Sequence, residues 1–239
     1  MSAVPVVVAI AALGALALFS GSASAAPRRR VLVRRPPPLP PLPDGSAAPD
    51  LDPVVVYLHG FGVHVENLGP LLDKLTEGNR ATVVIPQLGA KSEVGDLNLE
   101  SLLKEYNLPD HNVALLAHSG GYSAAAALLQ SSTIPIRAVA LFDALYGRTA
   151  LFEAFAKTPG KRFFDIYGSS TAPLSNLLGQ RLLAWAKGQG QTDVAFDPNG
   201  TGPVNTLLAS RVAIFWTKAA HAAVPGVYGG AVVRALEQG

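Results

Sequence analysis

Six short apolar runs recur between residues 54 and 216, and the segments between them return their apolar residues every three or four positions. The runs are VVVYL (54–58), ATVVIP (81–86), NVALLA (112–117), RAVALF (137–142), RFFDIY (162–167) and RVAIFW (211–216). Each is rich in β-branched or aromatic residues and lacks the polar alternation of a strand with one wet face. Such runs fit strands buried on both sides. The intervening segments fit helices: NLGPLLDKLTEG, LNLESLLKEYN, SAAAALLQ, RTALFEAFAK and LSNLLGQRLLAWAKG, with YGGAVVRALEQ closing the chain. Strands alternating with helices predict an α/β domain, a mostly parallel central sheet with helices on both faces, over residues 54–239. The stretch 188–205, GQGQTDVAFDPNGTGPVN, reads as a long loop near the mouth of a site.

What precedes residue 54 is different in kind. AVPVVVAIAALGALALF is an unbroken apolar run followed by SGSASAA. The pattern reads as a secretory signal over 1–26, cleaved near Ala25 or Ala26, with a retained membrane tether through residues 3–19 as the alternative. Export to a periplasmic or extracellular location follows from the first reading, and anchorage to the membrane from the second. Residues 27–53 hold PPPLPPLP and DGSAAPDLDP and read as a basic, proline-rich linker. The net charge of +2 arises mainly from Arg28, Arg29, Arg30, Arg34 and Arg35 in that linker, so it gives no support for nucleic-acid binding. The absence of cysteine excludes disulfides, thiol catalysis and thiolate metal sites. No metal-ligand cluster or phosphate loop stands in the sequence, so no cofactor is implied.

In parallel sheets, ligands bind beyond the carboxyl ends of the strands, and the polar residues of this chain gather there. The run 112–117 ends in Ala117-His118-Ser119-Gly120-Gly121. A sharp strand-to-helix turn that presents a serine needs small residues two before and two after it, here Ala117 and Gly121. The usual pattern is G-x-S-x-G, with alanine replacing the first glycine in this chain. The same residues also fit an ordinary Ser-Gly-Gly turn capping a helix. The run 54–58 ends in His59-Gly60-Phe61-Gly62, whose glycines let backbone N–H groups face the top of the sheet. The amides of Phe61 and Gly120 form the natural pair of donors to a developing oxyanion.

Asp143 follows the run 137–142 and is the preferred orienting acid, with Asp193 and Asp197 of the 188–205 stretch as alternatives. Of the five histidines, His59 and His118 sit within the two glycine turns and serve local geometry. His111 precedes a strand and His64 starts a helix. His221, after the last strand, has the position and chain order of a general base.

With these pieces the chain resembles the α/β-hydrolase superfamily, whose chain order of nucleophile, acid and base is that of Ser119, Asp143 and His221. In most members the acid follows the next strand. A lipase-like minority carries it where Asp143 stands. The resemblance implies a serine hydrolase that cleaves carboxylic esters, esterase- or lipase-like, through an acyl-enzyme on Ser119, acting on a small-molecule or lipid ester without a cofactor. An acyltransferase on the same acyl-enzyme, a peptidase and a non-catalytic binding domain of the same fold are the alternatives. Insertions confined to about 144–160 and 169–205 leave little room for a large lid, which suits short- or medium-chain esters. Phe61, Leu145, Tyr146, Phe152 and Phe155 could line an acyl pocket, although the helical spacing of Phe152 and Phe155 favours core. The sequence carries no sign of the oligomeric state.

Overall fold

The computed structural model describes residues 30–37 and 52–238. The signal segment, the tether and most of the proline-rich linker lie outside the described residues. Among the described residues, eight strands form one sheet in the order β1-β3-β2-β4-β5-β6-β8-β7. They are β1 (Val31–Arg34), β2 (Val54–Leu58), β3 (Thr82–Pro86), β4 (Val113–His118), β5 (Ile136–Phe142), β6 (Arg162–Tyr167), β7 (Val194–Asp197) and β8 (Val212–Trp216). All neighbours pair in parallel except β1, which lies antiparallel to β3. The six apolar runs are thus strands, buried on both faces as their composition requires.

Helices cover both faces. On one side pack α2 (Leu99–Glu105), α3 (Tyr122–Ser131), α4 (Thr149–Lys157) and α5 (Ala172–Gly188), over a core that includes Leu58, Leu115, Leu141 and Phe163. On the other lie α1 (Gly69–Thr76), α6 (Val204–Leu208) and α7 (Val224–Glu237), over Tyr57, Leu116, Phe142 and Phe164. Alternate residues of one strand therefore feed two separate cores. This is the reason those strands show no polar face in the sequence.

Two expectations need correction. The folded unit does not begin near Pro53, because Val31–Arg34 within the presumed linker forms β1. Its register on β3 runs from Val31 opposite Pro86 to Arg34 opposite Val83. The alternating Val-Leu-Val of this strand is flanked by arginine and proline, whose composition masks a four-residue edge strand. Its arginines are tied to the domain as well: Arg30 pairs with Glu66 at 3.2 Å and Arg34 with Asp73. The stretch 188–205 is not one loop either. It contains β7 and the start of α6. Phe196 of β7 packs so closely on Gly179 of α5 that a Cβ there would overlap its ring. A four-residue edge strand bounded by Gly and Asn leaves little periodic signal.

The chain order matters for the site. From β2 the chain steps outward to β3, then returns on the opposite side of β2 as β4. Connections leaving β2 and β4 therefore diverge, opening a crevice at their carboxyl ends. The register places Leu58 beside Ala117 and His118 beside Phe142, so the residues that follow β2, β4 and β5 emerge at one level.

Candidate active site

Ser119 stands at the tip of the turn after β4, with φ of 53°, in the left-handed region that non-glycine residues seldom occupy. Its neighbours explain how that conformation is held. A Cβ at Gly121 would overlap the carbonyl oxygen of Leu58, and one at Gly60 would come within 2.9 Å of the Ser119 Cβ. The turns after β2 and β4 therefore touch backbone to backbone, and only glycine allows it. Ala117, two residues before the serine, is fully buried on β4. Strained positions of this kind cluster at functional sites.

Asp143, at φ of 44°, closes β5 in the same way, its amide donating to the Ile166 carbonyl at 2.8 Å. It is 1% exposed and accepts three hydrogen bonds. His221 Nδ1–H donates to Oδ2 at 2.7 Å, while the Thr171 hydroxyl and the Gly168 amide donate to Oδ1 at 2.7 and 3.0 Å. Burial alone would raise its pKa. The bonds from His221, Thr171 and Gly168 outweigh burial and hold the carboxyl below the usual carboxylate range. Asp193 and Asp197 are occupied elsewhere: Asp193 pairs with Arg211 at 2.6 Å, and Asp197 accepts from the amides of Asn199, Gly200 and Gly202.

His221 opens a short 3-10 turn that leads into α7. The carboxylate fixes the proton on Nδ1, which leaves Nε2 as the acceptor. His118, one residue before Ser119, braces it from below. Its Nε2 lies 3.0 Å from the His221 carbonyl and the ring centroids are 4.7 Å apart. A carbonyl only accepts, so His118 Nε2 carries the proton. Burial, followed by the proximity of His221, lowers the His118 pKa to about 4, and the ring is neutral at neutral pH. Among the described residues, the Ser119 hydroxyl makes no hydrogen bond to His221, so this final link of the chain is open in this conformation.

The turn after β2 is held from behind. His59 is 1% exposed, and its Nε2 accepts from the Leu88 amide at 2.9 Å. That assigns the proton to Nδ1, 3.0 Å from the Gly60 carbonyl. Burial lowers its pKa, so this ring too stays neutral. The Ser92 hydroxyl donates to the His59 carbonyl at 2.9 Å, Gln87 donates to the Val63 carbonyl at 3.2 Å, and the Gly62 amide donates to Ala90. These bonds engage the Gly62 amide and leave the Phe61 amide without an acceptor among the described residues. Gly120 lies at the start of the 3-10 turn that enters α3, where amides have no acceptor in the preceding turn. The Phe61 ring, 60% exposed, covers Gly120.

Thr171, Ser92 and Gln87 escape the sequence reading, because nothing in their local context marks a polar residue that serves a distant turn. Of the aromatic and aliphatic candidates for an acyl pocket, Leu145 and Phe152 are fully buried in the core and Phe155 packs against it. Phe61 and Tyr146 remain at the surface, Tyr146 with its ring 6.5 Å from that of His221. No cluster of three metal-ligating side chains occurs among the described residues, and no helix among them is long and apolar enough to cross a membrane.

The parallel sheet, its divergent strand ends and the two glycine turns together define the α/β-hydrolase fold. Solved structures with this architecture include esterase PE8, 16% identical with TM-score 0.51, covering 87% of this chain and 98% of that one. Another is the S-formylglutathione hydrolase from Agrobacterium tumefaciens, 12% identical with TM-score 0.51, covering 78% of this chain and 84% of that one. At these identities the likeness is one of fold. No family model matches the sequence, nor does any curated protein.

Proposed function

We propose that the chain is a serine hydrolase of carboxylic esters. The observation that carries the reading is the meeting of three strand ends: Ser119 held at φ of 53°, and His221 bonded through Nδ1 to the buried Asp143 at 2.7 Å. Similarity in fold to an esterase and to an S-formylglutathione hydrolase supports it at the level of reaction class.

In this reading His221 Nε2 takes the Ser119 proton as Oγ attacks the ester carbonyl. The Phe61 and Gly120 amides receive the negative charge that develops on the carbonyl oxygen. The imidazolium, stabilised by ionised Asp143, returns the proton to the departing alkoxide, which leaves as the alcohol. Water then attacks the acyl-enzyme, giving up its proton to His221, and the carboxylic acid is released. In this reading the Ser119–His221 hydrogen bond forms when substrate binds. Catalytic hydrogen bonds are often long before substrate arrives. An acyltransferase would share every step up to the acyl-enzyme and differ only in the acceptor. Export through residues 1–26 belongs to the same proposal, with esters outside the cytoplasm as the substrates encountered.

Fluorophosphonate labelling of the full chain beside Ser119→Ala tests the reading. The wild type should label at Ser119 and turn over p-nitrophenyl acetate, and the variant should do neither. A well-folded wild type that neither labels nor turns over ester would favour a non-catalytic domain of this fold. Formation of ester in place of free acid when an alcohol is added would favour the transferase.

A further inference from the structure

A cleft of about 320 Å³ opens beside the candidate site, on the face of the sheet covered by α1 and α7. Leu71 and Lys74 line it on α1, Pro225 and Gly226 line it in the first turn of α7, and the buried Tyr57 and the half-buried His118 line its inner side. Its volume falls at the lower end of the range of small-molecule sites, and its wall is mainly apolar. Three chain neighbours join it to the candidate machinery. His118 precedes Ser119, Ala222 follows His221 and Val63 follows the glycine turn, and all three line the cleft.

One neutral donor in this wall is without a partner among the described residues. Tyr57 is 1% exposed, its hydroxyl makes no hydrogen bond among the described residues, and that oxygen is not one of the fully enclosed unpaired polar atoms, so it opens onto the cleft that Tyr57 lines. Burial pushes the Tyr57 pKa up, so the group remains a phenol with a proton to donate. Tyr57 packs its ring among apolar neighbours of the second core, and a phenylalanine would meet that need without leaving a donor unmatched. The donor faces a mainly apolar cleft whose other polar lining groups are the flexible Lys74 side chain and His118, the latter bonded through its Nε2 to the His221 carbonyl.

We infer that this cleft holds the apolar chain of the substrate ester, and that Tyr57 donates its hydroxyl proton to an oxygen acceptor carried within that chain. The substrates are then esters with a second oxygen function along an aliphatic chain, such as oxo-acyl esters or oligoesters, in preference to plain alkanoates of equal length. The inference rests on the hydrolase reading for the role of the occupant as substrate, and on the cleft alone for its chemistry.

The test separates those two dependences by measuring binding without turnover. The probes are 2-heptanone and its isostere 2-methyl-1-heptene, which lacks the acceptor, titrated into the full chain with ligand-observed NMR. Two variants accompany the wild type. Tyr57→Phe removes only the hydroxyl. Gly226→Leu fills the cleft: a Cβ at this helical glycine meets nothing nearer than the flexible Lys74 side chain, at 3.4 Å from Nζ. The wild type should bind the ketone about tenfold more tightly than the alkene, Tyr57→Phe should bind the two alike, and Gly226→Leu should weaken both at least tenfold. In a parallel assay the ratio of kcat/KM for p-nitrophenyl octanoate to that for the acetate should fall at least tenfold in Gly226→Leu. Absence of saturable binding to the wild type, binding unchanged in Gly226→Leu, or a ketone preference that survives Tyr57→Phe would overturn the inference. Loss of ester turnover with the binding pattern intact would instead remove the hydrolase reading and leave the cleft standing.

Discussion

Two aspartates lie on adjacent strands of the same sheet, both almost wholly buried, and their surroundings drive them in opposite directions. Asp143 terminates β5 and receives three hydrogen bonds, from His221, Thr171 and Gly168. Asp165 lies within β6, 0% exposed, with neither carboxylate oxygen in a hydrogen bond. Burial raises its pKa to about 7; the nearby Ser175 hydroxyl opposes that rise, and the Asp143 charge adds the smallest part. The Ser175 hydroxyl is itself fully buried and meets neither Asp165 oxygen in hydrogen-bonding geometry. Burial therefore does not make an acid fit for a triad. Donors at a strand end do, by keeping the charge where an imidazolium can use it.

The largest effect that would sharpen this contrast belongs to Asp143→Asn. It keeps the shape but reverses the hydrogen-bond logic at His221 Nδ1, and kcat should fall by about 10³–10⁴ with circular dichroism unchanged. Asp165→Asn should leave kcat within a few-fold, and a loss comparable to that of Asp143→Asn would collapse the distinction between the two residues.

The next effect is on stability and is read from Asp165→Asn against pH. The folded-state pKa is raised, so the folded chain holds a proton that the unfolded chain has released. Its contribution is fully present below about pH 3.8 and is lost as pH rises through about 7. Above that pH the cost approaches about 4 kcal/mol, taking about 1.4 kcal/mol for each unit of the shift. Chemical denaturation should therefore show the variant and wild type alike near pH 4 and the variant more stable by up to that amount at pH 8. Equal stability at both pH values would show that Asp165 is not held protonated.

The smallest effect comes from Thr171→Val, which removes one charge-assisted bond to Asp143 and leaves the one to His221. We expect kcat to fall roughly tenfold, with the acid limb of the kcat/KM profile moving to higher pH as Asp143 becomes easier to protonate. A fall in Tm without that movement would assign Thr171 to packing alone.

The division of labour around Asp143 also shows what the sequence could reveal. The six central strands are legible because each is buried on two faces and must be apolar along its whole length. Ser119, His221 and Asp143 could be singled out because each follows such a run, where a polar residue contrasts with its context. The edge strands Val31–Arg34 and Val194–Asp197 give no such contrast. Gly168-Ser169-Ser170-Thr171, after β6, holds no carboxylate and so offers nothing that marks it in the sequence. In the fold it lies beside β5 and supplies two of the three donors to Asp143. The cleft beside Tyr57 is equally hidden, since a tyrosine within VVVYL reads as one more apolar residue until its hydroxyl is seen without a partner.

The strand β1 carries a consequence for how this molecule meets its own copies. It covers the outer rim of β3, whose Thr82–Pro86 ladder would otherwise be open along one side. Open strand rims recruit other strands. A chain shortened to start at Pro53 would retain every residue of the candidate site and lose that cover. Its failing would be one of sociability: molecules adhering edge to edge while each still held a properly formed serine. The arginine-flanked segment VLVR thus separates two properties that are easily confused, the ability to build the site and the ability to remain apart in solution.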